Sequence, residues 1–133
     1  MKFLKRAAIA LMLPILFLAC KKESGDAPAN APIDGIFSGK YGFGNDVPGS
    51  NYTLQLKPDL TIEELGQSSG APTGRGKWAL SGNSFTASYK MLYAPYSDYF
   101  VIGTYDASTN TITGTWGYEH GGKDGGKFTV TRK

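Results

Sequence analysis

Residues 76–89 read GKWALSGNSFTASY, residues 103–116 read GTYDASTNTITGTW, and the two segments align without gaps. Glycine begins both segments, an aromatic residue follows two positions later, and Asn83 and Asn110 occupy matching positions. In each segment, two runs of alternating apolar and polar residues flank a turn, which is the pattern of a β-hairpin. The repeat therefore predicts two related hairpins in tandem.

The same strand pattern extends from residue 35 to residue 133, and no part of this region has helical periodicity. Turn formers such as Pro58-Asp59 and Gly82-Asn83 separate the runs, and the short connections require antiparallel neighbours. Eight strands are predicted, at about residues 36–43, 51–57, 60–66, 75–81, 84–93, 98–105, 110–118 and 126–132. We expect an all-β meander that closes into a small barrel, because closure removes exposed edges; a β-sandwich is the alternative.

Alternation along the predicted strands assigns one face to the interior, and the residues on that face allow two interpretations of how the interior is filled. Small residues such as Ala87, Gly103 and Gly114 alternate with large aromatic ones, which fits a packed barrel core. The other interpretation is a cavity with Trp and Tyr walls and Glu64 at its mouth. Its predicted lining is Tyr52, Glu64, Trp78, Tyr89, Tyr105, Trp116 and Tyr118.

The N-terminus has the order of a secretory signal peptide. Lys2, Lys5 and Arg6 precede an apolar run over residues 7–19. As a helix that run would reach about 20 Å, too short for a hydrocarbon core of about 30 Å. We therefore expect residues 1–19 to be cleaved rather than to remain as a membrane span.

The end of this run, Leu16-Phe17-Leu18-Ala19-Cys20, resembles the lipobox of bacterial lipoproteins. The resemblance implies that Cys20 carries the lipid anchor and that the protein resides in the bacterial cell envelope, at the outer membrane, facing either the periplasm or the surface. Cys20 is the only cysteine of the chain, so it has no intrachain disulfide partner. An ordinary secretory signal followed by a free thiol is the alternative.

The three basic residues of the signal account for the whole formal charge of +3. The remainder is neutral and has no basic cluster beyond Lys21-Lys22, so we expect no nucleic-acid partner. Residues 20–34 are rich in Ala, Pro and charge, without apolar periodicity, which predicts a flexible tether. The predicted organisation is thus signal peptide 1–19, lipidated cysteine and tether 20–34, and β-barrel domain 35–133.

The domain resembles the small up-and-down barrels of the lipocalin and avidin kind, and in particular small β-barrel lipoproteins of Gram-negative bacteria. The resemblance lies in Gly103-Thr104-Tyr105-Asp106, Gly114-Thr115-Trp116-Gly117 and the closing segment 126–131, GKFTVT. It implies a barrel and, more loosely, ligand binding. The positions that contact biotin in avidins do not align with this chain, so biotin is not implied.

We expect no enzymatic activity, cofactor or metal. His120 is the single histidine, which excludes a histidine cluster, and lipidation of Cys20 would leave no thiol nucleophile. Glu63 and Glu64 are adjacent and point to opposite faces of a strand, so these two alone cannot form a paired-carboxylate site.

Two functional classes remain. The first is a membrane-anchored barrel that binds a small apolar or aromatic ligand. The second is a protein-interaction module with a packed core, such as a hydrolase inhibitor, that acts through its long loops at residues 45–51, 66–74, 94–97 and 119–125.

Overall fold

A computed structural model of the chain describes residues 33–133. The predicted signal peptide, Cys20 and all but the last two residues of the predicted tether lie outside the described residues. The described part is all-β, as predicted. Its strands are β1 (Gly35–Tyr41), β2 (Ser50–Leu56), β3 (Thr61–Leu65), β4 (Pro72–Ser81), β5 (Ser84–Met91), β6 (Asp98–Asp106), β7 (Thr111–Gly117) and β8 (Gly126–Arg132).

The strands form a closed barrel in chain order, so the predicted meander is confirmed and the sandwich is not formed. Every strand pairs antiparallel with its sequence neighbour, and β1 closes the sheet against β8, where Tyr41 lies opposite Phe128 and Gly39 opposite Val130. The repeat segments 76–89 and 103–116 form the successive hairpins β4–β5 and β6–β7. Closure leaves none of the eight described strands as a free edge.

The barrel has two unlike ends, because the connections of an antiparallel meander alternate between them. The turn end carries the short connections 57–60, 82–83 and 107–110. There the Asp59 carboxylate accepts hydrogen bonds from Thr61, and Asp106 accepts them from Ser108. The loop end carries the connections 42–49, 66–71, 92–97 and 118–125. All four long loops identified in the sequence therefore project from one end.

Packed side chains fill the interior from the turn end to beyond the middle of the barrel. Ile33, which precedes β1 at the turn end, is fully buried. The fully buried side chains along the strands are Phe37, Leu54, Leu56, Ile62, Phe85, Val101, Ile112, Phe128 and Val130. Large side chains fit because small ones face them: a Cβ at Gly103 would lie 3.3 Å from the Phe128 ring. This part of the barrel matches the packed-core interpretation.

The outer face carries the polar half of the alternation. Thr113 and Thr129 pair across β7 and β8 with their hydroxyls 3.2 Å apart, and Thr111 pairs with Thr131 at 2.9 Å. The middle of strand β6 carries apolar side chains on both faces. Its outward Phe100 packs against His120 of the 118–125 loop, with ring centroids 4.3 Å apart, so the loop partly covers that position.

Candidate functional site

A cavity of about 160 Å³ occupies the interior at the loop end. With the exception of Glu64 and Met91, its lining is aromatic, and we call it the aromatic cup. The lining residues are Tyr41, Phe43, Tyr52, Glu64, Tyr89, Met91, Tyr93, Tyr99, Trp116 and Tyr118. They come from β1, β2, β3, β5, β6 and β7 and from the loops that follow β1, β5 and β7.

The aromatic cup has a buried floor and an exposed rim. Tyr52 and Trp116 are 6% and 5% exposed, whereas Tyr93 and Tyr118 are 54% and 49% exposed. The strands place the floor residues within the barrel, and the loops place the rim residues around its opening. A molecule entering from solvent would therefore meet half-exposed rings first and buried rings below them.

Contacts between the rings fix the walls. Tyr41 packs edge to face on both Tyr52 and Trp116, each at 5.6 Å between centroids. Tyr99 lies 5.3 Å from Tyr118 and 5.8 Å from Trp116. The Trp116 indole N–H donates a hydrogen bond of 3.0 Å to the carbonyl oxygen of Gly42, which ties β7 to the start of the β1–β2 loop. These offset contacts are the arrangements that aromatic quadrupoles favour, so the walls hold one another in place.

Glu64 supplies the one acidic group of the lining. It lies opposite Leu54 of β2 and Gly74 of β4, and the register shift between β3 and β4 falls immediately after it. A register shift before Glu64 would turn its side chain to the outer face, but because the shift comes after it, Glu64 faces the interior. Burial raises the pKa of the Glu64 carboxyl, and a hydrogen bond with the Tyr89 hydroxyl partly offsets that rise.

A short hydrogen-bond chain connects this carboxyl to the floor. The hydroxyls of Tyr52 and Tyr89 lie 2.8 Å apart, and Tyr89 also hydrogen-bonds Glu64. Either hydroxyl can donate in the Tyr52–Tyr89 bond. When Glu64 is ionised, its carboxylate can only accept and a phenol has a single proton, so in that state Tyr89 donates to Glu64 and accepts from Tyr52. Burial, with the Glu64 charge as a smaller cause, raises the pKa of both tyrosines, and burial raises the pKa of Tyr99 to about 12. The tyrosines accordingly remain protonated donors at neutral pH.

The structure brings together five of the seven residues predicted to line a cavity: Tyr52, Glu64, Tyr89, Trp116 and Tyr118. It does not bring Trp78 and Tyr105 to the aromatic cup, because both lie nearer the turn end. The Trp78 indole N–H donates to the Lys57 carbonyl oxygen at 3.1 Å, and its ring stacks on Phe85. The Tyr105 hydroxyl donates to the Asn110 side chain at 2.8 Å.

The internal repeat indicates which of the predicted lining residues reach the aromatic cup and which lie nearer the turn end. It matches Trp78 with Tyr105 and Tyr89 with Trp116, and in a regular barrel matched positions of successive hairpins lie at the same height. Tyr41 and Tyr99 were missed although alternation from Gly39 and Val101 places them inward. Alternation along β5 also places Met91 on the inward face. Phe43 and Tyr93 lie in loops, where alternation gives no orientation.

Other ionisable groups have structural roles. Glu63 faces outward and pairs with Lys57 at 3.1 Å and Arg75 at 3.0 Å. Its burial, with 8% of the residue exposed, tends to raise the pKa of its carboxyl, but hydrogen bonds from these two cations outweigh that effect and lower it. The Asp124 carboxylate accepts hydrogen bonds from the backbone N–H groups of Tyr118 and Glu119, which stabilises the 118–125 loop.

Two further features are absent from residues 33–133. No cluster of three or more His, Cys, Asp or Glu side chains able to hold a metal ion is found there. Nor does that part of the chain contain a helix whose length and apolar character would let it cross a membrane.

Comparison of the chain with protein-family models, curated proteins and solved structures gave no match.

Proposed function

We propose that this protein is a lipid-anchored bacterial envelope lipoprotein, related to small lipocalin- or avidin-like barrels, whose barrel binds a small apolar or aromatic ligand. The aromatic cup is the observation that carries the proposal. It combines a concave, solvent-accessible interior, ring walls and a few polar groups, which together characterise small-molecule sites. A core packed along its whole length would have no such opening.

The size of the aromatic cup limits what it can hold. Its volume of about 160 Å³ is close to the roughly 150 Å³ of an apolar cavity that accepts benzene. Sites for drug-sized molecules are larger, at about 300–1,000 Å³. The inserted group should therefore be one ring or a compact branched group, and any larger remainder of the ligand would extend between the loops.

A titration can test this part of the proposal with an internal control. Single-ring compounds such as phenol and toluene should shift the NMR signal of the Trp116 indole N–H, which belongs to the aromatic cup, and leave that of Trp78 in place. Native mass spectrometry of the purified protein would show any ligand retained from the cell. Absence of both a retained ligand and a selective shift at Trp116 across the panel would rule out the binding proposal.

Lipid attachment at Cys20 is supported by the lipobox-like sequence around it. We expect cells that express the wild-type chain and are fed a labelled fatty acid to incorporate the label, and Cys20→Ser to abolish it. Two or three acyl chains at about 0.8 kcal/mol per buried methylene would provide a durable anchor. An unlabelled wild-type chain would contradict the anchor while leaving the proposed ligand site unaffected.

The grouping of the four long loops at one end favours the interaction module as the second candidate. Several of their apolar side chains are exposed, among them Val47 at 88%, Leu92 at 44% and Tyr96 at 58%. Exposed apolar loop tips are suited to enter the cleft of a partner such as a hydrolase. Inhibition of lysozyme by the wild-type protein that is lost on Val47→Asp would support this candidate over the first.

A further inference from the structure

We infer that the ligand of the aromatic cup carries an alkylated ammonium group, which lies against the ring faces and pairs with the Glu64 carboxylate. This inference rests on the proposed function, because it identifies the chemical class of the ligand for the same site. It adds a positive charge to a ligand so far described only as apolar or aromatic.

Charge is the first argument. Within the described part of the chain, the lining of the aromatic cup contains one carboxyl and no Lys, Arg or His side chain. The neighbouring Glu63, on the outer face of the same strand, has two cationic partners, Lys57 and Arg75. Glu64 has instead the neutral hydroxyl of Tyr89. A half-buried carboxylate among aromatic rings is unfavourable without a compensating charge, and the lining supplies none, so a bound cation would stabilise it.

The aromatic rings are the second argument. The face of an aromatic ring carries partial negative charge and attracts cations within about 6 Å of its centroid, and several rings arranged as a cage recognise quaternary ammonium groups. Tyr52, Tyr89 and Trp116 surround the buried part of the aromatic cup, and Tyr41 and Tyr99 complete the wall. A ligand that needed only hydrophobic contact would gain nothing from a carboxylate among these rings.

Positioning of the carboxylate is the third argument. Tyr52 and Tyr89 are connected by a hydrogen bond of 2.8 Å, and Tyr89 in turn hydrogen-bonds Glu64. The Tyr89 hydroxyl therefore lies beside the carboxylate at the wall of the aromatic cup. An alkylated ammonium suits this environment because its methyl groups contact rings, while its charge is satisfied by one carboxylate without a full set of hydrogen-bond acceptors.

The test compares two molecules of nearly the same shape. Choline carries a trimethylammonium head, and 3,3-dimethylbutan-1-ol carries a neutral tert-butyl group in its place. With the full chain, choline should bind about tenfold more tightly or better, measured by calorimetry and by the NMR shift of the Trp116 indole N–H. Equal affinity, or preference for the neutral alcohol, would overturn the inference and leave the proposed function standing. Binding of neither molecule, nor of the single-ring panel, would remove the proposed function itself.

Two matched variants locate the effect. Glu64→Gln keeps the shape of the side chain and removes its charge, so it should abolish the preference for choline over the neutral alcohol. Glu63→Gln makes the same change one residue away on the outer face and should retain the preference. Retention of the preference in Glu64→Gln would overturn the role of the carboxylate.

The same head group can belong to a free molecule or to a lipid. Vesicles of phosphatidylcholine and of phosphatidylglycerol, mixed with the Cys20→Ser chain, separate the two sources. Cosedimentation with phosphatidylcholine alone would assign the head group to a lipid, and binding of free choline without cosedimentation would assign it to a soluble cation. Cosedimentation with phosphatidylglycerol alone would contradict recognition of an ammonium group.

Discussion

Gly76→Ala should destabilise the barrel by about 2–3 kcal/mol, a large part of the 5–15 kcal/mol typical of a folded domain. Gly76 faces inward from β4 and lies opposite Tyr89 of β5. A Cβ at this position would lie 1.9 Å from the Ser88 carbonyl oxygen and 2.5 Å from the Tyr89 Cα. Both are backbone atoms of the paired strand, so no side-chain rotation relieves the clash.

The expected result is a lower midpoint in urea unfolding, together with faster amide exchange along the β4–β5 pair. Gly49→Ala is the matched control, because a Cβ there would meet one atom within 4 Å, the Val47 carbonyl oxygen at 3.8 Å. It should change the free energy of unfolding by no more than about 0.5 kcal/mol. Equal changes in the free energy of unfolding for the two substitutions would contradict the need for glycine at position 76.

Trp78→Ala and Trp116→Ala should each cost about 3–5 kcal/mol in stability but differ in their effect on binding. Each substitution removes a buried ring and a hydrogen bond to a backbone carbonyl, from Trp78 to Lys57 and from Trp116 to Gly42. Of these two tryptophans only Trp116 lines the aromatic cup, so its loss should abolish ligand binding. Trp78→Ala should bind as the wild type does.

Chemical unfolding measures the loss of stability, and ligand titration of each folded variant measures the change in binding. Circular dichroism establishes that the variant under titration retains the barrel. Equal loss of binding in both variants would indicate that the binding site extends toward the turn end, or that binding depends on stability rather than on the ring of Trp116.

The barrel could be predicted because its determinants are local. Alternation along the strands identified the inward residues, and Asp59 and Asp106 occur at turns where their carboxylates accept hydrogen bonds from residues two positions later. The gapless repeat then predicted successive hairpins. Closure was expected because it removes exposed edges, and the pairing of β8 with β1 confirms it.

The candidate site was only partly predictable, because it depends on where a residue lies along the barrel axis as well as on whether its side chain points inward. Alternation placed Trp78 and Trp116 on the same inner face, yet the packed layer that contains Phe85 and Phe128 lies between the turn end and the aromatic cup. Phe43 and Tyr93 reach the rim from loops whose path depends on tertiary contacts. One such contact is the hydrogen bond from the Gly44 N–H to the Gly125 carbonyl oxygen, 2.7 Å long, which joins two loops distant in sequence.

Ile33 enters the barrel at the turn end, and the aromatic cup opens at the other. A lipid anchor at Cys20 would thus be connected to the end of the barrel opposite the opening of the aromatic cup. Molecules dissolved in the surrounding water would reach the rim directly, whereas a molecule embedded in the anchoring leaflet would first have to leave it. If Cys20 carries a lipid, the side on which the polypeptide enters the barrel would therefore favour ligands dissolved in water over ligands embedded in the membrane.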